Sequence, residues 1–132
     1  MNNTLIEHES DRTFQLWEYQ VSMGQLLLRS PRTPASEGSP ELKTNFDIVF
    51  VGVEYVSLPR FLRGVRLESA TTEDALEVER LLGSIKAPNK ITVIVSGEKR
   101  FHVVAAGVRF SENNWEIFDS PFEFRSRYRS HD

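Results

Sequence analysis

The sequence predicts an α+β domain: a strongly curved antiparallel sheet of about seven strands, a partial barrel or meander, with one amphipathic helix near residues 72–85. Three observations lead there. Short runs rich in aromatic and β-branched residues recur between turn-forming clusters, as strands do. A single stretch carries the helical period. Several strands are apolar on both faces, so a flat one-layer sheet would expose too much oil. That forces a strongly curved sheet, a partial barrel or a dimer interface. A two-sheet sandwich is the second choice.

The 132 residues suit one domain, 1–132, because compact domains cluster at about 100–150 residues. Residues 1–11 are polar and acidic (Glu7, Glu9, Asp11) and read as a flexible tail, the reverse of a secretory signal. Phe14 to Val21 is a strand, with Phe14 and Leu16 on one face and Trp17, Tyr19 and Val21 on the other. Ser22–Gln25 turns the chain, and Leu26–Arg29 returns it. From 30 to 44, Pro31, Pro34 and Pro40 with intervening Ser and Gly preclude a ladder or a helix. This is a long Pro/Ser-rich loop whose composition favours disorder.

Asn45 to Leu58 is nearly all apolar, as expected of a central strand covered on both faces. Phe61–Gly64 reads as a short turn and Val65–Glu68 as a half-exposed strand. Thr71 or Thr72 caps the helix, and Glu73 and Asp74 favour its positive end. Ala75, Val78, Leu81, Leu82 and Ile85 form its apolar stripe, opposite Glu73, Glu77 and Arg80. Gly83 weakens the last turn, and Pro88 bars continuation. Ile91–Ser96, Arg100–Phe110 and Trp115–Phe118 then make a meander of three strands. Phe122–Arg129 alternates as a final edge strand with its arginines in water.

Composition removes several function classes. With 16 Lys+Arg against 19 Asp+Glu and no dense basic segment, nucleic acid is an unlikely partner. Arg125, Arg127, Arg129 and Tyr128 are the weak exception. The absence of Cys excludes disulfide scaffolds and zinc ribbons. No apolar run approaches the roughly 18 residues of a membrane helix, so a cytoplasmic protein without membrane contact is expected. His8, His102 and His131 are too scattered to suggest a metal site; His102 reads as an ordinary histidine on a half-exposed strand. There is no nucleophile elbow, no phosphate loop and no dinucleotide fingerprint, so no cofactor is implied. Ser96–Lys99 holds a Gly near a Lys, but in a hairpin turn.

The remaining candidates are binding residues. Gly52 and Gly107 lie within the two longest apolar runs, where a curved sheet must bend. A sharper reading makes them the floor of a pocket whose charged groups are Glu54 and Arg109. Glu54 interrupts an apolar run, so it is expected at a solvent edge or paired with Arg109 or Arg66. Trp17, Tyr19 and Tyr55 are aromatics that serve either the core or a contact surface. With Trp17, Tyr19, Glu54, Tyr55, His102 and Arg109 as site residues, the sequence leans away from an enzyme. It points to a small non-catalytic binding module that engages a protein partner, or a second copy in a homodimer, through a sheet face or edge. The alternative is a small-ligand binder or enzyme using the concave side of the sheet.

Overall fold

The computed structural model describes residues 6–116, 119 and 122. It is an eight-stranded antiparallel sheet with one helix. The strands are β1 (Ile6–Gln20), β2 (Gln25–Ser30), β3 (Asn45–Val51), β4 (Tyr55–Ser57), β5 (Phe61–Ser69), β6 (Lys90–Ser96), β7 (Lys99–Ala105) and β8 (Gly107–Asn113). The helix, α1, spans Thr72–Leu82. The strand order is β4-β7-β6-β5-β1-β2-β3-β8.

Among the described residues the sheet is not closed into a barrel, and β4 and β8 are its two edges. Yet β4 continues β3, and β8 continues β7. Ala106 N donates to Val51 O at 2.9 Å and Glu54 N to Val104 O at 2.8 Å, so the two runs meet at paired corners. Gly52 makes one corner. Its φ of +65° is left-handed, and an added Cβ would lie 3.0 Å from the Cβ of Ala106. Gly107 opens β8 at the other. The expected bend at both glycines is therefore present, and the expected single strand over 45–58 is split in two by it.

Curling gives the sheet an inner face shared by most of its strands. Phe14, Leu26, Leu28, Ile48, Phe50, Leu62, Leu67, Ile94 and Val103 form one buried cluster there. The outer face is covered in two places. Leu27 and Val49 pack with Phe122, flanked by Trp17 and Val51. On the other side Val93 pairs with His102 and Val95 with Arg100, both valines are buried, and His102 and Arg100 meet Asp74 of α1. The prediction of oil on both faces thus describes the observed sheet.

The differences from the sequence reading have local causes. β1 takes in residues 6–11, which composition reads as a tail, because those polar residues find ladder partners in β5 (His8 with Leu67, Glu9 with Arg66). Phe61–Gly64 is strand rather than turn. Its Gly64, at φ +73°, lies across from the irregularity between Ser10 and Thr13, where β1 has extra residues. The 30–44 loop carries two isolated bridges, Thr33 with Leu42 and Ser36 with Ser39. Arg100–Phe110 is broken at Ala106, and β8 pairs with β3 instead of a third meander strand. Trp115 and Glu116 lie outside any strand; the edge strand expected over 122–129 falls outside the described residues apart from Phe122.

The helix is capped by Thr71, whose hydroxyl accepts from Asp74 N while the Asp74 carboxylate accepts from Thr71 N, a reciprocal capping box. It ends at Leu82, with Gly83 N donating to Glu79 O at 2.8 Å. Ala75 and Val78 lie on its covered side, but Leu81 is 64% exposed. The stripe is narrower than its spacing predicts, because the helix stops at Leu82 and Ile85 lies beyond it.

Candidate functional site

Alternation along β2, β3 and β8 sends Leu27 and Arg29, then Asp47, Val49 and Val51, then Arg109, Ser111 and Asn113 to the outer face. Arg29 and Asp47 are direct cross-strand neighbours, both 0% exposed. They form a two-pronged pair, Nε to Oδ1 at 2.7 Å and Nη2 to Oδ2 at 2.9 Å. A buried charge demands such pairing and further hydrogen bonds. Asn113 Nδ2 donates to Asp47 Oδ2 at 3.1 Å, and Asn45 Nδ2 donates to Asn113 Oδ1 at 3.0 Å. Arg29 Nη1 donates to the Asp119 carbonyl at 2.6 Å, and its guanidinium lies 5.6 Å from the Trp17 ring centroid. Beside this polar row sits the apolar row of Leu27, Val49 and Phe122. Fixed donors next to a greasy seat suit recognition.

A second polar cluster fastens α1 to the outer face of β7. Asp74 accepts from Arg100 Nη2 at 2.7 Å, and His102 Nε2 lies 3.0 Å from Asp74 Oδ1. Glu68 holds Arg100 at 3.1 Å and also pairs with Arg66. Burial pushes the Asp74 carboxyl upward, but hydrogen bonds from Arg100, His102 and Thr71 outweigh it and leave the carboxyl well below the usual range. A His–Asp pair could orient a base for a nucleophile, but the hydroxyl here, Thr71 Oγ1, donates to Asp74 rather than to the imidazole. The cluster fixes the helix in place.

The residues singled out from sequence therefore fall in separate places. Trp17 and Arg109 are on the outer face around Leu27 and Val49. Tyr19 is 46% exposed near the end of β1, and Tyr55 is half-buried on β4. Glu54 is exposed at the corner and accepts from Asn89 Nδ2 at 2.7 Å, so its partner is not Arg109 or Arg66. A solvated corner stabilises the carboxylate without a cation. His102 is buried under the helix instead of half-exposed. Sequence reasoning missed Arg29, Asp47, Asn45, Asn113 and Asp74. The alternation that put Leu27 opposite Leu26 and Leu28 was the available signal for Arg29.

The β8 edge is the longest open feature nearby. Its seven residues pair with β3 without a break, from Val51 with Gly107 to Asn45 with Asn113. Along it Arg109, Phe110 and Glu112 are exposed. Phe110 stacks on His8 at 4.5 Å between ring centroids, and His8 also stacks on Phe46 at 5.1 Å.

Family models, curated proteins and solved structures gave no match to this chain.

Among the described residues, no helix is long and apolar enough to cross a membrane, and no group of three or more acidic or histidine side chains is placed to hold a metal ion.

Proposed function

We propose that this is a non-catalytic, cytoplasmic binding module that engages a protein partner by strand addition at the β8 edge. One observation carries the reading. β8 runs seven residues in unbroken register with β3 and has no ladder partner on its other side among the described residues. An open edge of this kind is a template for another strand, and proteins usually guard it with brevity, proline or a bulge. β4, the opposite edge, is three residues long. β8 has no proline and no register shift; Arg109 and Glu112 alone bring charge to it. Phe110, 39% exposed, would add an aromatic contact.

The filled inner face favours this reading over a ligand held on the concave side. Among the described residues, surface grooves of about 340 and 370 Å³ are present. One is lined by Glu9, Asp11, Arg63 and Arg66, the other by Arg12, Thr13, Pro31 and Pro40. These are open, charged-rimmed settings, unlike the enclosed cavities that hold small molecules.

A photo-crosslinking residue placed at Arg109 or Ser111 tests the proposal in cells. It should give one discrete adduct, whose mass separates a different partner from a second copy. The same residue at Leu76, exposed on α1, should not give that adduct. Equal adducts from both positions would refute the edge as the contact.

A further inference from the structure

The helix hangs on two side chains. Of the 11 residues in α1, Asp74 and Val78 are the buried ones. A helix of that length is marginal in water by itself, so α1 needs the sheet to stay folded. The sheet does not need α1 in return. β5 and β6 are ladder neighbours in their own right, from Arg66 with Val95 to Ser69 with Thr92. Residues 70–89 therefore leave the sheet and rejoin it at adjacent points. Their return leg is irregular from Gly83, where φ is +81° and an added Cβ would meet nothing within 4 Å.

At the docking point one carboxylate has two tasks. Asp74 Oδ2 accepts from Thr71 N at 2.8 Å, which starts the helix. The same oxygen accepts from Arg100 Nη2 at 2.7 Å, while Oδ1 accepts from Arg100 Nε at 3.2 Å and faces His102 Nε2 at 3.0 Å. Losing those partners undocks the helix at the residue that also caps it.

The receiving half stands on strands and is held without α1. Glu68 accepts from Arg100 Nη1 at 3.1 Å, so Arg100 stays placed for re-docking. Glu68, Val93 and His102 are direct cross-strand neighbours and form one buried row on the outer face. His102 directly, and Glu68 through Arg100, join both ends of that row to Asp74.

We propose that α1 is a lid that lifts from the outer face of β6 and β7 as a unit while the sheet stays folded, with the Asp74–Arg100–His102 contacts as its latch. Opening bares Val93 and His102, and closing restores the cap and the latch together. Units fastened by few buried apolar contacts open below the free energy of global unfolding. The lid is independent of the β8 edge and stands or falls without it.

The chain has no cysteine, so single introduced thiols can report the opening. Val78→Cys on the helix and Val93→Cys in the buried row should react with an aromatic disulfide reagent at least about tenfold faster than Ile94→Cys in the inner cluster. Arg100→Gln, which breaks the latch without touching the cap, should speed both outer sites about tenfold or more. Phe14→Leu, which weakens the inner cluster, should speed Ile94→Cys and leave the outer sites within about twofold. Circular dichroism establishes that each variant is folded. Amide hydrogen exchange on the unaltered chain is a second reading, in which residues 76–82 should exchange at least about tenfold faster than β6 and β7. The proposal is overturned if Val78→Cys reacts as slowly as Ile94→Cys, or if Val78→Cys reacts fast while Val93→Cys does not. An Arg100→Gln variant that leaves the outer sites unchanged, or helix amides exchanging no faster than the sheet, would overturn it too.

Discussion

Replacing Asp47 with asparagine tests the view that the Arg29–Asp47 pair is a buried ionic contact that neither residue can leave alone. Both side chains are wholly buried. The amide keeps the shape and an acceptor for Asn113, but removes the carboxylate charge that faces Arg29 in a buried setting. Removing one member of such a pair costs about 3–5 kcal/mol. With a urea slope of about 1.5–2 kcal/mol per molar, the midpoint should fall by about 2 M. Equilibrium urea unfolding followed by tryptophan fluorescence reads this directly. A second variant, Arg29→Met with Asp47→Leu, removes both charges at once. It orphans the Asp119 carbonyl and the Asn113 amide, at about 1 kcal/mol each, and should still be more stable than Asp47→Asn. A loss below about 1 kcal/mol for Asp47→Asn, or a double variant weaker than the single, would refute the reasoning.

Four further perturbations probe other parts of the fold. Asp74 has a folded pKa below its ordinary value of about 3.9, so its contribution is complete above that value and is lost as pH falls through and below it; Asp74→Asn should therefore lose less stability than the unaltered chain in urea titrations between about pH 5 and 2. Gly52→Ala should cost about 1–3 kcal/mol in thermal melts, from a left-handed φ and the close Ala106 methyl, and Ala106→Gly should recover only the contact part. On the helix, Val78→Ala should cost about 2 kcal/mol. Leu81→Lys should stay within about 0.5 kcal/mol, since its side chain faces water; a larger loss would mean that the wider apolar stripe is the true one.

Local chemistry made much of the fold legible. The β-branched run at Ile91–Val95, the Thr71 cap and the turn at Gly97 each state their structure within a few residues. Wherever distant segments supply the partner, the sequence was silent. His8 and Glu9 look like tail residues until β5 lies beside them, and Phe61–Gly64 looks like a turn until β1 offers an irregular ladder. The candidate site was harder still. Arg29 and Asp47 sit 18 residues apart across a Pro-rich loop, and only the register of β2 on β3 makes them neighbours. Glu54 drew attention by interrupting an apolar run, yet the bend at Gly52 turns it into water. Arg109 drew attention as a partner for Glu54, yet the register of β8 on β3 sets it opposite Val49, and nothing local indicated that Phe122 would pack there.

The paired corners carry an evolutionary constraint. Val51, Gly52 and Tyr55 must stay in step with Val104, Ala106 and Gly107 for β4 and β8 each to meet their partners. An insertion of one codon at either bend would swap the inward and outward faces of everything beyond it. Length changes in descendants of this chain should therefore come as matched pairs at the two bends, while the Pro-rich loop is free to grow or shrink alone.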